Sequence, residues 1–227
     1  VNIKILFLFM QNSVEIFSIA LGLVEPWYVK EVVFDKERLQ LDVYLGFKKG
    51  HLFLADDTQY YTAYDTVERR WEHLNFFQHK CYLHAKVPRV MQSDGKIKTQ
   101  EVPWARKGSG FTLLFEAFSM LLIENEMPVN KVAKLLQVYP ARIWNVFDYW
   151  ISIAHKEDVI DSLTKIGFDE TSVKKGHNYI THMVDLEQKR VLFACEGKGA
   201  DCIEKSVDYL KEKEVEIAEI KQVCIDM

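Results

Sequence analysis

Cysteine is scarce in this chain and follows no pattern. Cys81, Cys195, Cys202 and Cys224 form no Cys-x-x-Cys pair, which excludes a disulfide-dense secreted scaffold and predicts a reducing, cytoplasmic setting. The apolar start, Val1 to Met10, is only about half as long as a bilayer-spanning helix must be. It has one early lysine and no small-residue cleavage site, so residues 1–9 read as an upstream extension before a natural start at Met10. A phosphate-cradling glycine loop, a Gly-x-Ser-x-Gly elbow and a His-Glu-x-x-His helix are all missing, which removes support for nucleotide-binding and hydrolase classes. Internal repeats and low-complexity tracts are absent too.

What remains is ordinary globular composition in 227 residues, enough for one large or two small domains. A net charge of -4 argues against a general nucleic-acid coat, but the charge is unevenly spread. Thr66 to Gly110 holds nine Lys/Arg against four Asp/Glu, whereas the stretch after Gly199 is acid-rich. That suits a DNA-binding module joined to something else, and equally a solvated surface of uneven charge.

The first hundred residues predict a small β-rich domain. Val29–Phe34 and Leu39–Phe47 alternate around an Asp35-Lys-Glu-Arg turn, a hairpin signature. Strand-like pieces follow at His51–Leu54, Tyr60–Tyr64, Cys81–Val90 and Ile97–Val102, with turn chemistry at Asp56-Asp57 and Ser93-Asp94-Gly95. Trp71, Trp104, Phe76 and Phe77 read as core aromatics more readily than as base-stacking ones.

The character changes at Gly108-Ser-Gly. Phe111 to Ile123 is apolar around most of a helix and is expected to be largely buried. Pro128 then opens Val129–Leu136, with Val129, Val132, Ala133 and Leu136 on one face, and a second helix starts near Arg142. Two short helices three or four residues apart are the pattern of a helix-turn-helix, although helical hairpins that bind nothing look the same. Lys131, Lys134, Arg142 and Asn145 are its candidates for phosphates and base edges, with Arg106 and Lys107 as further backbone contacts.

Glu157–Ser162 reads as a polar linker. Beyond it the pattern is strand (Ile166–Asp169), hairpin (His177–Leu186 and Arg190–Glu196), helix (about Asp201–Lys213, packing Ile203, Val207 and Leu210) and strand (Ile220–Asp226). Strand, strand, strand, helix, strand is the opening half of a ribonuclease-H-like fold, where the first and fourth strands lie side by side and parallel. Asp169 and Asp226 would then share a crevice, and carboxylates about 4 Å apart repel by roughly 4 kcal/mol at an effective dielectric near 20. Bound Mg²⁺ or Mn²⁺ would relieve that repulsion and support in-line phosphoryl displacement. The plainer reading of each aspartate is a turn or cap residue at a strand end. Lys174, Lys175 and His177 follow Asp169 and would either approach DNA phosphate or form a solvated turn.

Several strings narrow the choice. Leu21-Gly-Leu-Val-Glu-Pro-Trp, Trp71-Glu-His-Leu-Asn-Phe-Phe-Gln-His-Lys-Cys-Tyr-Leu-His-Ala-Lys-Val-Pro-Arg, Val102-Pro-Trp-Ala-Arg-Lys-Gly-Ser-Gly-Phe-Thr, Ile166-Gly-Phe-Asp-Glu-Thr-Ser-Val-Lys-Lys-Gly-His-Asn-Tyr and Val223-Cys-Ile-Asp-Met run from near Met10 to the end. In that order they resemble the DDE transposases of bacterial insertion sequences, of the ISL-three family. The resemblance implies a DNA strand-transfer enzyme that binds terminal inverted repeats and target DNA as a homo-oligomer, uses Mg²⁺, and takes Asp169 and Asp226 as its first two acids.

The family's third acid, a glutamate much further along, has no counterpart here, so this chain is expected to be truncated and catalytically incomplete. The family's zinc-ribbon cysteines are missing as well: Phe53-Leu-Ala-Asp-Asp-Thr-Gln and Met91-Gln-Ser-Asp-Gly stand in their place. A metal-free remnant of the ribbon is expected, with Cys81, His79 and His84 only a weak zinc signal. The resulting expectation is an α+β chain. It comprises a β-rich, degenerate zinc-ribbon-like domain (10–105), a helix-turn-helix region (106–158) and an incomplete ribonuclease-H-like α/β domain (159–227). Two other classes stay open: a non-enzymatic DNA-binding protein, acting as a transposition repressor or left as an inert remnant, and an α+β domain with an unrelated partner.

Overall fold

The computed structural model describes residues 14–174 and 178–225, and the chain divides into two compact units between Tyr149 and Trp150. The first unit is built on a sheet. After a helical stretch at 14–20 come β1 (Trp27–Asp35), β2 (Gln40–Phe47), β3 (Phe53–Leu54), β4 (Tyr60–Tyr61), β5 (Asp65–Phe76), β6 (His79–Met91) and β7 (Ile97–Thr99). The main sheet runs β1-β2-β6-β5, with β7 also on β6; β2 and β6 are parallel and the other neighbours antiparallel.

Strand alternation sets the two faces. Leu41, Val43 and Leu45 of β2 and Cys81, Leu83, Ala85 and Val87 of β6 point inward and are buried. Three tryptophans close this core, with Trp104 edge-on to Trp27 at 4.8 Å and to Trp71 at 5.6 Å. Trp71 and Trp104 are thus core residues, as expected, and Phe76 packs against the same cluster. Phe77 differs: it sits at the β5–β6 turn with φ 52° and is 83% exposed.

The β1–β2 hairpin forms where its alternation and turn predict. Asp35 Oδ1 accepts hydrogen bonds from the Glu37 and Arg38 amides at 3.0 and 2.9 Å, and Leu39 takes a left-handed φ of 50°. The strand pieces near 51–64 are shorter than their patterns suggest. β5, which the alternation of Thr66–Phe76 hides behind charged residues, is one of the two longest strands.

Three helices follow: α1 (Leu113–Glu124), α2 (Val129–Leu135) and α3 (Pro140–Glu157), the last crossing the division between units. α1 is not the buried helix its composition suggests. It buries Phe115, Glu116 and Ser119, while Leu114 and Leu121 are more than half exposed. The reason lies in its anchor: the β5 residue Glu72 donates from its amide to Gly110 O and accepts from the Thr112 amide, so only one side of α1 meets the sheet. Thr112 caps the helix through the Phe115 amide.

The second unit holds β8 (Lys165–Lys174), β9 (Asn178–Asp185), β10 (Arg190–Glu196), α4 (Ala200–Glu212) and β11 (Gln222–Ile225). The sheet order is β10-β9-β8-β11, with β11 parallel to β8. The adjacency of first and fourth strands expected from the pattern is therefore present. The β9–β10 turn repeats the device of the first hairpin: Asp185 Oδ1 accepts from the amides of Glu187 and Gln188, and Lys189 has φ 55°.

Three details of this unit differ from expectation. β8 continues to Lys174 because Thr171 and Ser172 keep pairing with β9, so Asp169 lies in mid-strand rather than at a tip. The stretch read as a polar linker supplies Ile160 to the core, and Leu163 directly after it is buried there too. The buried face of α4 is Cys202, Ser206, Tyr209 and Leu210, whereas Ile203 is 40% exposed. Ser206 is tolerated there because its hydroxyl donates to Cys202 O at 2.6 Å, which satisfies it within its own helix.

Candidate functional site

Two regions carry the chemistry expected of the chain. In the first, α2 and α3 are joined by residues 136–139, with Val129, Val132 and Ala133 buried beneath α2 and Ile143 and Val146 beneath α3. Buried apolar faces fix the pair to its unit and leave the opposite faces to solvent. Lys131 and Lys134 on α2 and Asn145 on α3 are exposed there, and so is Lys107. Trp144 Nε1 donates to Asn130 Oδ1 at 3.3 Å, linking the outer faces of the two helices.

The arginines proposed for the same surface are placed differently. Arg142 Nη1 donates to Glu72 at 2.7 Å while its guanidinium lies 3.9 Å from the Phe111 ring centre. Arg106 Nε donates to the fully buried Glu116 at 2.8 Å and stacks 3.8 Å over Tyr149. Ser109 donates to the other Glu116 oxygen at 2.5 Å. Arg142 thus clamps α3 onto the sheet, and Arg106 ties the segment before α1 to α1 and α3, each by a carboxylate at the edge and an aromatic at the face.

The second region is the pairing of β8 with β11. Its register matches Cys224 with Gly167 and Ile225 with Phe168. Ile166 and Phe168 face the α4 core, and Glu170 on that side accepts from the Gly199 amide at the start of α4. Gly167 and Asp169 therefore face the other way. Gly167 leaves room for Val184 and Leu186, which a Cβ would meet at 3.0 and 3.1 Å. Asp169 is exposed, pairs by register with His182, and makes no ion pair among the described residues. Asp226, Lys175 and His177 lie outside the described residues; Lys174 is the last residue of β8.

The region expected to be a ribbon remnant shows a third arrangement. Cys81 is buried in the core, and burial together with the nearby Asp42 charge pushes its thiol up to about 12. His84 sits on the opposite face of β6, donating to or accepting from Asp42 at 2.6 Å. Cys81 and His84 therefore do not converge. Among the described residues, no cluster of three or more His, Cys, Asp or Glu side chains is spaced to hold a metal ion. No helix among them is long and apolar enough to cross a membrane.

Comparison with known proteins matches these regions one by one. Residues 100–151 match the family model described as the helix-turn-helix domain of transposase family ISL3, and residues 166–227 match a transposase model of the same family. The transposase for insertion sequence element IS1557 of Mycobacterium tuberculosis is similar in two strains, CDC 1551 / Oshkosh and ATCC 25618 / H37Rv. Each is 27% identical over 130 residues, which is 57% of this chain and 29% of the relative. The chain thus spans under a third of the length of the relatives it matches. No solved structure matches it. The two models cover the helical pair and the β8–β11 region in family order, and the chain belongs to the ISL3 family of insertion-sequence transposases.

Proposed function

We propose that this chain binds the terminal inverted repeats of an insertion sequence through α2 and α3. Its second unit contributes Asp169 and Asp226 to a divalent-cation site for DNA strand cleavage and transfer, on a ribonuclease-H-like sheet. The observation that carries the reading is the parallel register of β8 and β11, in which Phe168 and Ile225 pair; each immediately precedes one of the two aspartates in sequence.

The donor chemistry fits. Asp169 offers hard carboxylate oxygens on an exposed surface with no competing ion pair among the described residues, which suits Mg²⁺ or Mn²⁺ better than a thiophilic ion. A divalent cation bound there polarises phosphoryl oxygen and lowers the pKa of a water or 3′-hydroxyl. The protein's own part is to fix the geometry: β9 pairs with β8 through Asp169 itself, which faces His182, and β11 pairs with β8 up to Phe168, so the strand that carries Asp169 is set before substrate arrives. Lys131, Lys134, Lys107 and Asn145 hold the duplex, the lysines through phosphates and the asparagine through a base edge. Lys174 and Lys175 are assigned to phosphate near the aspartates.

The test has two arms. A gel-shift titration with a duplex carrying the element's own terminal repeat is expected to show retardation that Lys131→Ala and Asn145→Ala each weaken about tenfold. Calorimetric titration with Mn²⁺ is expected to show a site that Asp169→Asn removes. Equal retardation of a scrambled duplex would refute repeat recognition, and Mn²⁺ binding untouched by Asp169→Asn would refute the carboxylate site.

A further inference from the structure

The outward face of the first sheet carries side chains that neither the core nor the helix pair uses. Cross-strand register lines up Tyr44, His84 and Arg70 in one row across β2, β6 and β5. The Tyr44 and His84 rings stack at 4.8 Å with 21° between planes, and His84 is held from below by Asp42 at 2.6 Å. In the neighbouring row the Arg70 guanidinium lies 4.7 Å over the Tyr82 ring. Tyr28 lies flat on Gly46, where a Cβ would meet its ring at 3.0 Å. Tyr28 and Tyr44 remain 44% and 37% exposed, a large aromatic area on one sheet face.

Tyr28, Tyr44, Gly46, Arg70 and His84 line an open hollow of about 540 Å³. Arg70 also borders a second hollow of about 370 Å³ that reaches Gln137, Val138 and Tyr139 in the turn between α2 and α3. Lys80 spans that join, its ammonium 3.4 Å from Gln137 O. The surface is therefore continuous from the helix-turn-helix to the edge strand β1. Its charge leans positive: among the described residues Lys30, Arg70 and Lys80 make no ion pair there, while Glu68 is paired with Lys86, Glu72 with Arg142 and Asp42 with His84, which leaves Glu31 as the unpaired acid of the lining.

We propose that this sheet face binds single-stranded DNA continuous with the duplex held by the helix-turn-helix, stacking unpaired bases on Tyr44 and Tyr28 while Arg70, Lys80 and Lys86 follow the backbone. The inference rests on the DNA-binding reading of α2 and α3. A duplex does not fit the chemistry, because its base faces are hidden in the stack and a flat sheet cannot enter the major groove. A single strand does, since every base has a π-face and its phosphates match the basic rim.

The experiment uses the full chain and a fluorescein-labelled oligothymidylate of about fifteen nucleotides, a length near the upper site size of known single-strand platforms. Anisotropy at low salt is expected to show binding that Tyr44→Ala weakens about tenfold and Tyr44→Phe leaves within about twofold, because stacking needs the ring and not the hydroxyl. Lys131→Ala and Asn145→Ala should leave oligothymidylate binding unchanged while weakening duplex binding. Urea midpoints equal to wild type show that each variant is folded. Failure of the wild-type chain to bind oligothymidylate, or equal binding by Tyr44→Ala, overturns the proposal whatever the duplex result. If Tyr44→Ala instead dissociates a dimer in sedimentation and leaves oligothymidylate binding intact, the face is a protein interface and the proposal also falls. Loss of duplex binding alone, with single-strand binding kept, counts against the helix-turn-helix reading only.

Discussion

At the scale of single residues, the two arginines of the helical region show how a basic side chain can be structural rather than ligand-binding. Arg106 neutralises Glu116, a carboxylate with no solvent exposure, and it also covers Tyr149. Removing one member of a buried ion pair leaves the other charge uncompensated, at a typical cost of about 3 kcal/mol or more. Arg106→Ala should therefore lower the urea midpoint of the first unit markedly, and Arg106→Lys should not restore it, because an ammonium cannot reproduce the guanidinium's edge and face contacts. Weaker DNA binding at an unchanged midpoint would return Arg106 to the DNA surface.

Cys81 makes a second residue-scale case. Its thiol ionises near 9.0 in an unfolded chain and near 12 in the fold, raised by burial. Between those values the unfolded state has lost a proton that the native state keeps, so stability falls as pH rises through that window. The slope attributable to this group approaches 1.4 kcal/mol per pH unit. Comparing wild type with Cys81→Ala from pH 8 to 11 should show the alkaline loss reduced in the variant. Parallel curves would mean that the thiol is reached by solvent.

At the scale of elements, the α4 face gives a clean contrast. Leu210 is fully buried and Ile203 is 40% exposed, although both belong to the apolar stripe read from sequence. Leu210→Ala should cost about 3 kcal/mol, and Ile203→Ala under about 1 kcal/mol, by chemical denaturation. Equal costs would restore the Ile203–Val207–Leu210 face. The misreading has a physical cause: Cys202 and Ser206 are small, and a serine bonded to its own helix is as easily buried as an apolar residue.

The same logic separates what was legible from what was not. The β1–β2 hairpin stood out because alternation flanks an aspartate-initiated turn, the β9–β10 hairpin because two strand-like runs flank the polar Glu187-Gln-Lys break, and the helical pair through Pro128 and its single apolar face. β5 was hidden because its outward positions carry Glu68, Arg70 and Glu72 and its neighbours Arg69 and His73 blur the inward ones. The extent of β8 past Asp169 was hidden because Glu170, Thr171 and Ser172 look like a turn until β9 pairs with them. Side-chain partnerships such as Arg142 with Glu72, seventy positions apart, leave no local trace in sequence.

At the scale of the whole molecule, an acidic chain of net charge -4 is proposed to hold a polyanion, and the resolution lies in where the cations sit. Lys107, Lys131 and Lys134 are exposed, whereas Arg106 and Arg142 are bound to internal carboxylates. Affinity for duplex should then come from few phosphate contacts and fall with salt accordingly, the logarithmic slope being about -0.9 per neutralised phosphate on B-form DNA. Titrations at several NaCl concentrations between about 50 and 200 mM are expected to give a finite slope. Lys131→Ala and Lys134→Ala should each reduce it by about one, while Arg106→Ala, in whatever fraction stays folded, leaves it unchanged. A slope that Arg106→Ala lowers as much as Lys131→Ala does would mean that the Glu116 pair opens to DNA, and that the clamp and the ligand compete for one guanidinium.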